Sequence, residues 1–181
     1  MKVLLLRPAA EKKSMARVLP LGLLAIGSVL KRAGHQVKIL DLRISNSPDE
    51  ELDAVMNSFD PQVVGIGVMT IECKYGFIDA AKVKKINPNV TVIFGGPHCS
   101  HEPQFILNDS NVDLMVSGEG DLTIVELINT LEEGKDVAGV PGIAYKKNGS
   151  YLRTAERPVI RDLDTIDQEY DLINLERYFN F

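Results

Sequence analysis

The feature that most constrains the fold is a regular alternation between short apolar runs and helical patterns. Five apolar runs recur along the chain, at residues 2–7, 36–42, 63–69, 91–96 and 114–119. The central runs are apolar throughout rather than at every second residue, which is typical of parallel strands covered on both faces. We therefore expect five strands buried in one parallel sheet.

Helical patterns fill the intervals between these runs. Apolar spacing and the placement of proline and glycine predict helices over 20–34, around 52–59, around 80–86 and around 124–131, with at most two helical turns in 101–111. A chain that alternates strand and helix forms an open α/β sheet with right-handed crossovers. The expected fold class is Rossmann-like (flavodoxin-like), with the strand order 2-1-3-4-5.

The segment after residue 138 has a different pattern. Residues 142–154 contain two short runs around Asn148-Gly149, which is a strong signal for a β-hairpin. The charged residues that follow have no clear period. We expect an α/β domain over 1–138, followed by a hairpin and linker over 139–181.

Composition restricts the setting in which the protein works. The net charge of −5 argues against a nucleic-acid partner, because phosphates favour a basic surface. Two cysteines do not make a disulfide framework, and no segment approaches 18 uncharged apolar residues. The expectation is a cytoplasmic protein that does not enter a membrane.

Ligands of such sheets bind beyond the carboxyl ends of the strands, and several familiar sites are missing there. The loop after the first strand lacks both the G-x-G-x-x-G pattern of dinucleotide binding and the G-x-x-x-x-G-K-[ST] pattern of a P-loop. The third run continues into Val68, Met69 and Thr70, without the carboxylate that a phosphoacceptor receiver domain needs. No nucleophile elbow supports hydrolase chemistry.

Glycines are concentrated where three of the predicted strands end. Glycine weakens a strand, so its repeated use suggests close approach by a ligand or another backbone. A simpler explanation is that each pair makes a turn. Because the pairs share one edge of the sheet, we favour a pocket about one planar group wide. The glycines are Gly65, Gly67, Gly95, Gly96, Gly118 and Gly120.

The segment FGGPHCSHE, residues 94–102, also contains potential metal ligands. His98, Cys99 and His101, with Cys73 nearby if the third and fourth strands are neighbours, supply two or three of the ligands that zinc requires. The alternative is that residues 100–102 open the next helix, with His98 in a loop facing a ligand. We favour the second interpretation.

Three other polar residues have ambiguous roles. Glu119 and Thr70 are positioned either to bond a ligand or to cap the following helices. Asp41, at the end of the second strand, is expected to be solvated.

Five segments of the sequence resemble a known protein family. The segments RP…PLGLLAIGSVLKRAGHQVKILD, PQVVGIGVMT, NPNVTVIFGGPHCSHEP, VDLMVSGEGDLTIVELI and VPGIAYKKNG resemble the N-terminal cobalamin (B12)-binding domain of B12-dependent radical SAM enzymes. That family includes methyltransferases and the anaerobic magnesium-protoporphyrin monomethyl ester cyclase. The resemblance covers nearly the whole chain, and GGPH followed by GEG is its most specific part.

The resemblance implies that a corrinoid lies on the carboxyl edge of the sheet. Its dimethylbenzimidazole tail would be displaced from cobalt (base-off) and enter a slot beside the sheet. A bulky residue in place of Gly96 should then abolish binding and leave the fold intact. No residue is assigned to catalysis or to a metal. The implied cofactor-binding residues are Leu21 and Gly22, assigned to the first loop, and Gly67, Met69, Thr70, Gly95, Gly96, His98, Gly118, Glu119 and Gly120.

The sequence differs from other B12 domains in two respects. It differs from complete radical SAM enzymes in a third. No histidine occurs between Arg7 and Gly34, so that loop supplies no ligand to cobalt. Relatives often have serine at the position of Gly67, which removes a hydrogen bond to the tail. The chain also lacks C-x-x-x-C-x-x-C, and two cysteines cannot hold the cluster that needs three thiolates.

These departures shape the expected function. The chain alone is not expected to be catalytic. S-adenosylmethionine and the [4Fe-4S] cluster would belong to a radical SAM domain of the same protein, and the full enzyme would be a methyltransferase or a cyclase. Two alternatives stay open: a non-catalytic regulatory or interaction module of the same fold, and a small metal- or nucleotide-binding protein.

Overall fold

A single seven-stranded sheet runs through the protein. The structure is a computed structural model that describes residues 1–9, 17–101, 103–162 and 167–179. The strand order is β2-β1-β3-β4-β5-β6-β7. The strands are β1 (Lys2–Arg7), β2 (Gln36–Asp41), β3 (Val63–Gly67), β4 (Thr91–Gly95), β5 (Leu114–Val116), β6 (Ile143–Lys147) and β7 (Ser150–Arg153).

Helices connect the parallel strands. Their bounds are α1 (Leu21–Arg32), α2 (Pro48–Phe59), α3 (Cys73–Ile86), α4 (Pro97–His101), α5 (Pro103–Leu107), α6 (Gly120–Glu132) and α7 (Glu176–Phe179). The first five strands are all parallel, which confirms the predicted order 2-1-3-4-5. Among the described helices, none is long and apolar enough to cross a membrane.

The predicted hairpin is present and extends the same sheet. Strand β6 pairs antiparallel with β5, and β7 pairs antiparallel with β6. Asn148 and Gly149 both have positive φ, of 53° and 78°, which is the conformation that a tight two-residue hairpin turn requires. The hairpin therefore covers the edge that β5 would otherwise expose.

Helices cover both faces of the sheet and create two apolar layers. One layer, which we call the α1/α6 layer, packs Leu30 of α1 and Leu127 of α6 against alternate residues of the strands, such as Leu5 and Ile93. The other, the α2/α3 layer, packs residues of α2, α3 and α5 against the intervening strand residues. Burial on both faces explains why the central runs are continuously apolar.

Three local expectations are wrong. Strand β5 ends at Val116 rather than at residue 119. The helix after β4 begins at Pro97 rather than at Ser100, because the fixed φ of proline suits the first helical position and Cys99 N–H already reaches Gly96 O at 3.2 Å. His98 therefore lies in a short helix rather than in a loop. Glu102 lies outside the described residues.

Asp41 was expected to be solvated, and this is also wrong, since it is 5% exposed. Its carboxylate accepts hydrogen bonds from Arg7 Nη1 at 3.3 Å, Tyr178 Oη at 2.9 Å and the backbone N–H of Arg43 at 3.0 Å. A buried carboxylate with three donors is satisfied, so burial is tolerated. Sequence position alone did not reveal these partners, because Tyr178 is 137 residues away.

Residues 167–179, which we call the C-terminal strap, lie against α1 and the edge strand β2. Glu169 N–H donates to Ser28 Oγ at 2.7 Å, and Lys31 pairs with the carboxylates of Glu169 and Asp171. Leu172 packs over Gly27, where an added Cβ would come within 2.9 Å of it. The strap reaches the carboxyl end of β2 through Tyr178.

Candidate functional site

A cavity of about 510 Å³ opens at the carboxyl end of the sheet. Its walls come from the ends of β1, β3 and β4, from the loop after β5, and from the first turns of α1 and α6. It continues beside the sheet into the α1/α6 layer, where Leu5, Ile93, Ile26 and Ile124 line it. The site is therefore a mouth at the sheet edge joined to an apolar slot between the sheet and two helices.

Glycines in β3 and β4 create the space for this slot. Gly67 and Gly95 are partners in the parallel register, so their missing side chains would project to the same face. An added Cβ at Gly67 would lie 3.0 Å from Leu23 Cδ2 of α1, whereas one at Gly95 would meet no atom within 4 Å. Gly95 therefore borders open space, and a side chain there would enter the cavity.

Gly96 has a different constraint. Its φ is +103°, and an added Cβ would lie 2.6 Å from the backbone oxygen of Val68. Real Cβ atoms do not approach backbone so closely, and this φ is strained for any other residue. We therefore expect a bulky residue at Gly96 to disturb the fold, and Gly95 is the better position for a blocking substitution.

The glycines after β5 also differ from each other. Gly118 has a φ of +73°, and its N–H donates to Ser100 Oγ at 3.1 Å, so it makes the turn between β5 and α6. Gly120 is the first residue of α6, and an added Cβ would lie 3.0 Å from Ile26 Cδ1 of α1. The turn explanation thus applies to Gly118, and close helix packing accounts for Gly120.

The cavity brings together most of the residues that the sequence indicated. Leu21 and Gly22 lie in the first turn of α1, not in the preceding loop. Leu21 and Met69 are about half exposed, at 48% and 46%, and give the mouth apolar walls. The indicated residues that line the cavity are Leu21, Gly22, Gly67, Met69, Gly95, Gly96, Gly118 and Gly120.

Three indicated residues lie outside the cavity wall. Thr70 is exposed and begins a short 3-10 turn before α3. His98 lies in α4, with its ring edge-on to Phe105 at 6.5 Å between centroids. Glu119 directly precedes α6, and its carboxylate accepts a hydrogen bond from Ile160 N–H at 2.5 Å. Their assignment to cofactor binding stays a prediction.

Two charged wall residues were not identified as site candidates from the sequence. Arg7, at the end of β1, and Glu72, just before α3, both line the cavity, and Arg7 Nε lies 3.8 Å from Glu72 Oε1. Arg43 Nη1 donates to the same carboxylate oxygen at 2.9 Å. Arg7 could have been identified from the sequence, because it is a charged residue at the end of an apolar strand run. Nothing in the sequence pointed to Glu72, because its burial depends on arginines at the ends of two other strands.

Asp121, the second residue of α6, is the third charged side chain in the wall. Burial raises the pKa of its carboxyl, the Glu119 carboxylate adds to this, and the residue's own backbone N–H opposes it. Its Oδ1 is buried and has no hydrogen-bond partner among the described residues.

The cysteines do not form a metal centre with their described neighbours. Cys73 and Cys99 are buried free thiols, and burial raises the pKa of Cys99 to about 12, with Cys73 contributing. Within the part of the chain that the structure describes, no group of three or more histidine, cysteine or acidic residues could hold a metal ion.

Comparisons with known proteins agree with this geometry. The model of the B12 binding domain family matches residues 13–128. An uncharacterized methyltransferase of Pyrococcus horikoshii is 36% identical over 98% of this chain and 40% of its own length. The anaerobic magnesium-protoporphyrin IX monomethyl ester cyclase of Synechocystis sp. is 29% identical over 98% of this chain and 37% of its own length.

A solved structure shares the fold. The radical S-adenosylmethionine methyltransferase TsrM from Kitasatospora setae, with cobalamin and a [4Fe-4S] cluster bound, matches 85% of this chain and 30% of its own with a TM-score of 0.75 and 22% identity. The chain spans about two fifths of the length of the two curated relatives. The similarity thus concerns one part of these longer proteins.

Proposed function

Since the chain belongs to the family of B12-binding domains, we propose that it binds cobalamin in the cavity at the carboxyl end of the sheet. The corrin would lie at the mouth, and the dimethylbenzimidazole tail would occupy the slot beside β3 and β4 in the base-off form. We propose further that this domain serves a radical SAM methyltransferase or cyclase, as its relatives' names suggest.

The observation that carries the proposal is the open space at Gly95. An added Cβ there would meet nothing within 4 Å, while its register partner Gly67 removes a side chain from the same face. Together they leave a slot that is continuous with a cavity of about 510 Å³. Sites for small ligands typically have about 300–1,000 Å³, and are mostly apolar with a few placed polar groups. The residues present therefore fit an aromatic tail.

This chain's own residues would bind and shield the cofactor. Leu21 and Met69 offer apolar surface at the mouth, and Ile26 and Ile124 line the slot from the helix side. Such walls exclude water from a planar aromatic group and favour its burial. When bound, cobalamin supplies methyl-transfer or radical chemistry, while the protein supplies binding and orientation.

The remaining parts of the activity would belong to other parts of a longer protein. Two buried thiols cannot replace the three thiolates of a radical SAM cluster, so S-adenosylmethionine and the [4Fe-4S] cluster would bind elsewhere. We propose residues 1–138 as the cobalamin domain and 139–181 as the connection to a radical SAM domain. Free cysteines and a net charge of −5 support a cytoplasmic setting without nucleic acid.

A visible-absorption titration tests the proposal. Purified protein is titrated with hydroxocobalamin and with methylcobalamin, and the spectrum is recorded at each addition. We expect saturable binding with a shift to the base-off spectrum, since a tail held in the slot cannot ligate cobalt. Absence of binding at high micromolar cobalamin would overturn the proposal.

A further inference from the structure

The carboxylate of Asp121 is placed where a bound ligand would meet it. Asp121 lies in the first turn of α6 and lines the cavity, next to Gly120, which packs closely against α1. Its Oδ1 is buried without a hydrogen-bond partner among the described residues. Oδ1 therefore lacks a donor in the described part of the protein without a ligand.

An unsatisfied buried acceptor is unfavourable, so its presence in a cavity wall calls for an explanation. The penalty for leaving such a group unpaired is larger when the group is charged. The N-terminus of α6 partly offsets the charge, because the helix dipole favours carboxylates in the first turn. It does not supply a partner to Oδ1. A hydrogen-bond donor on the ligand would supply one.

The charges of the wall restrict the ligand that suits this acceptor. Among the described residues that line the cavity, the charged ones are Arg7, Glu72 and Asp121. The guanidinium of Arg7 is already engaged with Asp41 and lies near Glu72. Arg43 also pairs with Glu72, so among the described wall residues the carboxylate of Asp121 is the one without a cationic partner. It disfavours a phosphate beside it and favours a ligand group that presents an N–H or O–H donor.

From this arrangement we propose that Asp121 is a specificity-determining residue whose Oδ1 accepts a hydrogen bond from a neutral donor of the bound corrinoid. The donor is either the N–H of an amide side chain on the corrin ring or a hydroxyl of the nucleotide tail. The inference rests on the proposed function, because it assumes that a corrinoid occupies the cavity.

Affinities of two corrinoids test it. Wild type, Asp121→Ala and Asp121→Asn are titrated with cobalamin and with cobinamide, which keeps the ring amides but lacks the nucleotide. We expect Asp121→Ala to weaken binding about tenfold, the effect of losing one hydrogen bond to a charged group, and Asp121→Asn to weaken it less because its carbonyl still accepts. Weaker binding of both corrinoids places the donor on the ring, and weaker binding of cobalamin alone places it on the tail.

Glu133→Gln is the matched control, because it removes a carboxylate just after the same helix, where Glu133 pairs with Lys135 in solvent. Its affinities should equal those of wild type. Thermal unfolding of each variant without ligand shows whether the fold is intact, and Asp121→Asn provides a second folded variant should Asp121→Ala unfold.

Two results would overturn the inference: unchanged affinity of both Asp121 variants for both corrinoids, or tighter binding on loss of the carboxylate. Failure of wild type itself to bind cobalamin is a separate outcome that overturns the proposed function.

Discussion

Two adjacent glycines at the end of β4 illustrate how residues with the same side chain serve different purposes. Gly96 is required by the backbone, because its φ is +103° and Val68 O would lie 2.6 Å from an added Cβ. Gly95 has no such constraint and borders the cavity. Separate substitutions therefore distinguish a residue that keeps the fold from one that keeps the cavity open.

Gly95→Leu should fill the slot. We expect cobalamin affinity to fall at least about tenfold, since the tail and the new side chain compete for one volume, while Tm stays within a few degrees of wild type. The measurements are the visible titration and thermal unfolding. Gly139→Leu is the matched control, because an added Cβ at Gly139 also meets nothing within 4 Å and Gly139 is not part of the cavity wall. Equal affinities of the two variants would contradict the slot.

Gly96→Ala should destabilise the protein whether or not a ligand is present. A strained φ and a backbone clash together cost about 1–3 kcal/mol. Urea unfolding at constant slope should therefore give a lower midpoint. Gly139→Ala serves as the comparison, and it should leave the midpoint unchanged or raise it slightly. A Gly96→Ala protein as stable as wild type would disprove the assignment of a backbone role.

At the scale of elements, the C-terminal strap is held by a few directional contacts rather than by a large apolar face. Ser28, Lys31 and Glu51 receive or donate hydrogen bonds and ion pairs along its length. Tyr178 is the deepest anchor, at 4% exposure, with its hydroxyl on Asp41 Oδ2. Burial raises the pKa of Tyr178, and the nearby Asp41 carboxylate raises it further. The phenol therefore remains a donor at neutral pH.

Tyr178→Phe should loosen the strap. The substitution keeps the ring but removes one donor from a buried carboxylate, which costs about 1–3 kcal/mol. We expect faster amide hydrogen exchange in residues 167–179 and a lower free energy of unfolding. Tyr170→Phe is the control, because Tyr170 is 45% exposed and its loss of a hydroxyl should change neither quantity. Identical exchange in both variants would show that Tyr178 does not anchor the strap.

The spacing of apolar residues predicted the strands and helices well, because it reports which side chains are buried. That pattern is visible within each segment, without knowledge of its partners. The continuous run 63–67 and the spacing of Leu52, Met56 and Phe59 each report a face covered by the core. The glycine clusters likewise indicated most of the cavity wall. Asp41 and Glu72 were not predictable in the same way, because their burial depends on partners from distant segments. The conformational difference between Gly95 and Gly96 also required the backbone itself.

At the scale of the whole molecule, the two apolar layers differ at one edge of the sheet. The α2/α3 layer contains large side chains up to the sheet edge, such as Ile66, Phe94 and Val68. The α1/α6 layer has glycines at the corresponding end, and the cavity lies where large side chains would otherwise be. Both layers pack the sheet, and the α1/α6 layer alone leaves a cavity at this edge among the described residues.

Global stability should depend on pH through Asp79, which lies in α3 and is 3% exposed. Burial raises the pKa of its carboxyl from 3.8 to about 6, with Lys82 opposing and Asp49 adding to the shift. Between these two values the folded protein holds a proton that the unfolded chain releases. The free energy of unfolding therefore falls as pH rises from about 4 to about 6.

Asp79→Asn should remove this dependence. Relative to wild type, the variant should gain up to about 3 kcal/mol on going from pH 4 to pH 7, the energy of about two pKa units. Urea unfolding of both proteins at each pH measures the difference. Asp53→Asn, a change on the exposed face of α2, should show no pH-dependent difference from wild type. A constant difference between Asp79→Asn and wild type at both pH values would exclude Asp79 as the cause.

The apolar lining of the slot has a thermodynamic consequence for ligand uptake. Walls such as Ile26, Ile93 and Ile124 surround space that a planar aromatic group would desolvate on entry. Transfer of apolar surface out of water lowers the heat capacity of the system. Isothermal calorimetry at several temperatures should give a binding enthalpy that becomes steadily more negative as the temperature rises. Cobinamide, which lacks the aromatic tail, should give a distinctly shallower slope.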